Sequence, residues 1–280
     1  MGYLRHGLPE EIPAGQPLRI THSGRIFLSH LSAKTAYVLT DRAIFSALFM
    51  AKGDLVLPRN LIIIGSGDFA ELWAYYVKEH FKDYTLKAFS VDRAYIQQDT
   101  VEGLPVVAFE TLAQTHPPQE YDLLVAIGYK RMNQIRKDKI LQCLKMGYNL
   151  PNFVHPTAYL ERDVRMGRGN LILERAVLAH GVTIGDGNIL WNAVNLSHET
   201  TLQDFNYLAP GTILAGKSDV GSNCFFGVSS SIRGKRHISD YTVVGAGAYI
   251  NEPTEPYGVY LPARTVRLAD RSSTDLPFQK

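Results

Sequence analysis

Val177-Leu178-Ala179-His180-Gly181-Val182, Thr183-Ile184-Gly185-Asp186-Gly187-Asn188, Ile189-Leu190-Trp191-Asn192-Ala193-Val194 and Asn195-Leu196-Ser197-His198-Glu199-Thr200 are four successive hexads, each with an aliphatic residue in second place. The frame extends both ways: stepping by six from Val154 to Ile250 passes through seventeen positions, every one apolar. With 45% of the chain apolar, one chosen phase would do this by chance about once in a million. A period of six suits neither an amphipathic helix nor an alternating strand. It suits a coil of short strands in which each hexad sends one aliphatic inward and then turns a corner. Four places after the aliphatics stand small or β-branched residues, Ala176, Val194, Thr212 and Ser230 among them, which fit a tight inner corner. Glycines gather near the corners at Gly167, Gly185, Gly187, Gly221, Gly227, Gly245 and Gly247, where positive φ costs glycine little.

Upstream of the repeat the pattern changes to alternating strand and helix. Leu61-Ile62-Ile63-Ile64 reads as a short buried strand ending in Gly65-Ser66-Gly67-Asp68-Phe69-Ala70, with a helix from Phe69 to His80. Leu86–Val91, Val106–Phe109 and Leu123–Ile127 read as further strands, and Gln134–Met146 has helical composition. This predicts a parallel βαβ domain. Gly65-x-Gly67-x-x-Ala70 after a strand is a phosphate-binding pattern at a helix N-terminus. The domain is too short for a full two-half dinucleotide fold, and Asp92 comes late for a ribose contact, which argues against NAD.

Bulk properties exclude several classes. The net charge of +2 gives no reason to expect nucleic acid or an anionic membrane as partner. The longest apolar stretches, such as Ala43–Ala51, are too short to span a bilayer. No secretory signal pattern stands at the start, and the two cysteines, Cys143 and Cys224, read as reduced structural thiols, so a cytoplasmic protein is expected.

The hexads resemble those of the hexapeptide-repeat acyltransferases, whose fold is a left-handed parallel β-helix with three hexads per coil. The resemblance supplies the left hand, since the general rule for parallel crossovers gives the right hand. Three hexads per coil would stack residues eighteen apart on neighbouring coils. His180, His198, Gly216 and Gly234 then form one column, each two places after its aliphatic. A histidine followed one coil later by a bare glycine sets a base beside an accessible backbone N–H. Acyl transfer from a thioester requires both: a base for the incoming nucleophile and a donor for the developing oxyanion. Glu199 can orient the His198 imidazole. His180, with no acidic neighbour in sequence, is expected to be structural or at the rim.

Leu196-Ser197-His198-Glu199-Thr200-Thr201-Leu202 is similar to the mid-repeat of the bacterial nucleotide-sugar N-acetyltransferases and sialic-acid O-acetyltransferase-like proteins, where a His-Glu or His-Asp pair carries the base and its partner. The domain order is theirs too, with Asn152-Phe153-Val154-His155-Pro156 at the junction, and Tyr257–Arg264 looks like a stretched form of their closing Gly-Val-Pro-Ala-Arg. The resemblance implies an α/β Rossmann-like N-terminal domain plus a left-handed parallel β-helix. The expected boundaries are residues 1–59 as an extension of unknown role, 60–152, 153–255 and a tail at 256–280. It implies acetyl-CoA as co-substrate, a sugar-nucleotide acceptor, a homotrimer and no metal. His198, Glu199 and Gly216 would be catalytic. Gly65, Gly67, Asp68, Ile127, Gly128 and Tyr207 would hold the sugar nucleotide, and Gly216, Gly234, Ala246, Pro262 and Arg264 the coenzyme. The chain departs from the family at Tyr207, where many relatives carry a second histidine, at Asp68 and Phe69 in the first loop, and at Tyr129, where relatives often place asparagine. A different acceptor pocket follows from these departures. A zinc enzyme on this fold would need three histidines, two of them five apart, and no His-x4-His occurs. The alternative is a non-catalytic trimeric nucleotide-binding or scaffold protein.

Overall fold

The computed structural model describes residues 58–265, with 267, 269 and 272 beyond them, and within the first 57 residues Arg19–Ile20 (β1) and Ile26–Phe27 (β2). Residues 1–57 and 58–280 are separate compact units. In the first, β1 and β2 pair antiparallel, Arg19 opposite Phe27; the apolar stretch Ala43–Ala51 lies outside the described residues. Among the described residues no helix is long and apolar enough to cross a membrane.

The second unit begins with a five-stranded sheet of Arg59–Ile64 (β3), Tyr84–Val91 (β4), Thr100–Val101 (β5), Leu104–Ala108 (β6) and Tyr121–Val125 (β7), in the order β5-β6-β4-β3-β7. Leu61 to Ile64 are buried on both faces, as the unbroken aliphatic run requires. Leu61 and Ile63 meet Ala70, Trp73 and Val77 of helix α1 (Asp68–His80), whereas Ile62 and Ile64 share a core with Ile140 and Cys143. Leu112–Thr115 (α2) is a single turn, and Gln134–Lys145 (α3) carries Ile140 and Cys143. The sheet is not wholly parallel: β5 runs antiparallel to β6, closing that edge as a tight hairpin through Glu102 and Gly103. A two-residue strand is too short for its pattern to register in sequence.

From Phe153 the chain winds into coils with three faces. Face one carries Phe153–Val154, Leu171–Ile172, Ile189–Leu190, Tyr207–Leu208, Phe225–Phe226, Val243–Val244 and Val259–Tyr260. Face two runs from Tyr159–Leu160 to Tyr249–Ile250 and face three from Arg165–Met166 to His237–Ile238. Pairing is parallel, eighteen residues apart, as Leu178↔Leu196 and Leu196↔Leu214 show. All seventeen periodic residues line one core. Only the last strand breaks step: Val259 pairs with Val243, so the tail lies across the final coil. Outward residues of face one, Phe153, Leu171, Ile189 and Tyr207, are themselves buried, in one cluster with Ala70, Trp73 and Val77 of α1.

The corner glycines serve two purposes. From Gly169 to Gly247 every residue three places after an inward aliphatic has φ near +60°, whether glycine or, as at Arg175, Ala193, Glu199, Phe205 and Tyr241, a residue with a side chain. Gly187 and Gly247 meet the expectation of positive φ, but Gly167, Gly185, Gly221, Gly227 and Gly245 do not adopt it. Their reason is close approach: a Cβ on Gly185 would strike the Asp204 carboxylate one coil on, and one on Gly227 would strike the backbone of Ala246. At the corner from face three to face one, Asn170, Asn188 and Asn206 form a fully buried ladder. Each side-chain oxygen accepts from the backbone N–H eighteen residues later, at 2.7–2.9 Å.

Candidate functional site

The column read from the sequence exists, on the corner from face two to face three. The His198 ring lies directly over Gly216, where any Cβ would run into Nε2, Cε1 and Cδ2. The next glycine down, Gly234, also lies against the coil before it: its Cβ would stand 2.9 Å from the Gly216 carbonyl oxygen. Flanking backbone is engaged, Lys217 N donating to His198 O (2.9 Å) and Lys235 N to Gly216 O (3.0 Å), but the Gly216 N–H has no partner among the described residues. His198 Nδ1 is 3.5 Å from Glu199 Oε1, and Lys217 Nζ is 3.5 Å from the same oxygen. Glu199 is one of the left-handed corner residues, φ +57°, and that turn bends its carboxylate back toward the imidazole. Both side chains are more than half exposed in the single chain.

His180 differs from its sequence reading. It has an acidic neighbour after all: Asp163, from the preceding coil, approaches Nδ1 at 2.8 Å and accepts from Gly181 N at 3.0 Å. Seventeen residues separate the two, so inspection of adjacent positions missed the pair. Asp219 and His237 make a like pair at 2.9 Å on face three.

The second group of residues gathers where β3 and β7 end. The chain leaves β3 for β4 on one side and later returns to β7 on the other, so the carboxyl ends of β3 and β7 form a topological switch point, where open α/β sheets bind ligands. Gly65 has φ +128°, and its Cβ would stand 2.8 Å from Ala126 O. Gly67, φ −99°, is instead open: a Cβ on it, or on Gly128, would meet nothing within 4 Å. Helix α1 starts there without a side-chain cap, and Asp68 and Glu71 stand in its first turn. Phe69 leans on Trp191 of face one, with ring centroids 5.7 Å apart.

Tyr207 lies on face one, not on the corner that bears His198. It is stacked on Phe225 (5.4 Å, 9° between planes) and met by Tyr129 at 5.0 Å. Burial raises its phenol above the ordinary pKa. Behind it sits Arg136, which the sequence reading missed. This residue is almost wholly buried, without a carboxylate partner among the described residues, and donates to Gly128 O (2.9 Å), Gly187 O, Phe205 O, Asn206 O and Asn133 Oδ1 (each 3.0 Å). Burial pushes its guanidinium pKa down. One side chain thus ties the loop after β7 to two successive corners of the coil. Burial also pushes the Cys143 and Cys224 thiols up to about 12.

The expected coenzyme residues divide between two corners: Gly216 and Gly234 with His198, and Ala246 on the corner from face one to face two. Gly245 beside it is overlain by Leu261 and Pro262, and Arg264 is exposed. A cavity of about 580 Å³ opens there, between Gly247–Pro253 and Val259–Ala263. It lies at the end of the coil and not around His198.

No family model matches the chain. Among solved structures it is similar to the acetyltransferase domain of PglB from Neisseria gonorrhoeae, at 26% identity and a TM-score of 0.66, over 73% of this chain and 97% of that one. The same domain in complex with acetyl coenzyme A matches at 25% identity and 0.61, over 69% and 93%. A histidine-to-asparagine mutant of perosamine N-acetyltransferase from Caulobacter crescentus, in complex with CoA and GDP-perosamine, matches at 25% identity and 0.66, over 72% and 93%. In its repeating parallel strands and its fold, a Rossmann-like domain followed by a left-handed β-helix, the chain is similar to these hexapeptide-repeat acetyltransferases.

Proposed function

We propose that the protein transfers an acetyl group from acetyl-CoA to an amine or hydroxyl of a nucleotide-linked sugar, with His198 as general base. The observation that carries this reading is the seating of the His198 ring over Gly216, whose N–H has no partner among the described residues. His198 Nε2 takes the proton of the acceptor nitrogen or oxygen as that atom attacks the thioester carbonyl carbon. The Gly216 N–H donates to the oxyanion that forms. Collapse breaks the carbon–sulfur bond, and the imidazolium returns its proton to the departing thiolate. Glu199 stabilises the imidazolium meanwhile. Support for the substrates comes from the neighbours, solved with acetyl coenzyme A or with CoA and GDP-perosamine. Gly67 and Gly128 offer bare backbone to the sugar nucleotide, and Gly65 and Ile127 shape the turns that present them. Asp68 is better suited to accept from a hydroxyl or amino group than to face a phosphate, and Tyr207 supplies one wall of the acceptor pocket.

The reading includes the assembly and setting. His198 and Ala246 occupy different corners of one chain, so a groove holding both Gly216 and Ala246 against one coenzyme needs two copies, and a cytoplasmic homotrimer provides it. Release of free CoA thiol is the direct test, measured with acetyl-CoA and a panel of UDP-, GDP- and dTDP-linked amino sugars. Turnover with at least one supports the reading. Nucleotide binding without any acetyl-CoA binding would instead establish a scaffold.

A further inference from the structure

The loop between β7 and α3 holds a backbone feature found nowhere else among the described residues. Arg131, Met132 and Asn133, none of them glycine, have φ of +52°, +51° and +63° in succession; elsewhere left-handed residues come singly or, at Glu102–Gly103, as a pair. L side chains avoid this conformation, and a run of three persists only where surroundings fix it. They do. Asn223 Nδ2 donates to Met132 O and Asn133 Nδ2 to Cys224 O, each at 3.0 Å, and Arg136 holds both Gly128 O and Asn133 Oδ1 from beneath.

What the strained turn presents is Tyr129, Lys130 and Arg131. Tyr129 is 53% exposed yet fixed, its ring set edge-on to Tyr207 and tilted against Phe225, both at 5.0 Å. Lys130 and Arg131 are exposed, and neither meets a carboxylate among the described residues. A rigid aromatic surface followed by two unpaired cations suits a ligand in which a ring with a C–H face adjoins a strong anion. We propose that Tyr129, Lys130 and Arg131 form a binding surface for the pyranosyl diphosphate part of a sugar nucleotide, the ring lying on Tyr129 and the diphosphate meeting the two cations. This rests on the acceptor reading above and deepens it, because Tyr129 follows Gly128 directly and touches Tyr207.

Calorimetric titration of the full chain with GDP-perosamine and its UDP- and dTDP-linked counterparts tests it, with acetyl-CoA titrated in parallel. Tyr129→Ala should weaken the best-bound probe about tenfold or more, and Tyr129→Phe by no more than about twofold. Lys130→Ala with Arg131→Ala should weaken it and flatten its dependence on salt. Acetyl-CoA affinity should stay at the parent value in all of them. Parent-like probe binding by the alanine variants overturns this inference alone, as does a parallel loss of acetyl-CoA binding. A parent that binds acetyl-CoA but none of the probes overturns the inference and the acceptor reading together.

Discussion

His198 can sit against the next coil because Gly216 has no side chain, and the N–H of the same glycine has no partner among the described residues. Both halves of the proposed chemistry therefore hang on one missing methyl group. Gly216→Ala should displace the imidazole and obstruct the amide together; kcat should fall by at least about tenfold. The φ at position 216 is not left-handed, so alanine brings no backbone strain and thermal unfolding should move little. Parent-like turnover by Gly216→Ala would show that the ring works from another position. The eighteen-residue column was legible once the family resemblance supplied three hexads per coil, because a parallel coil then repeats by arithmetic. The Asp163–His180 pair was not: it joins side chains from two coils, and only the bend of the corners decides that they meet.

Elements meet where sequence pattern says least. Arg136 sits in a helix whose composition marks arginine as solvent-facing, yet carbonyls at Gly187, Phe205 and Asn206 draw it inside. Those carbonyls come from corners whose left-handed turns no residue type announces. By contrast β3 to β7, α1 and α3 followed from aliphatic runs and glycine breaks within a few residues, the exception being the short β5. At the junction of α1 with the first coil, His155 is buried against Tyr76 and His80, 5.7 and 4.4 Å between rings. Burial lowers its pKa; Glu174 opposes this and His80 adds to it. In the unfolded chain histidine protonates near pH 6.5. As pH falls below about that value the unfolded state takes up the proton first, and stability drains away until the lower folded-state pKa is passed. His155→Asn, whose side-chain oxygen can still accept from Thr157 N, should lose less melting temperature than the parent between about pH 7.5 and about pH 5.5. Parallel losses in the two proteins would contradict this.

At the scale of the whole molecule, the single chain keeps its proposed parts apart. Face one carries Tyr207 against the Rossmann-like domain, while His198 stands on the corner between the other two faces, more than half exposed. A base that must work in a confined groove needs cover from another copy. Light scattering at micromolar concentration should give a mass of about 94 kDa, three times 31.2 kDa. A monomer would remove the groove on which the coenzyme assignment depends. The most direct test of the account is the turnover of His198→Asn. Asparagine keeps some of the size and hydrogen bonding of histidine but cannot take up the proton, so kcat should fall by at least about a hundredfold with acetyl-CoA affinity almost unchanged. His180→Asn, from the same column, should cost much less. Near-normal turnover by His198→Asn, with activity abolished by His180→Asn, would contradict the account and move the base one coil up, to the histidine that Asp163 holds.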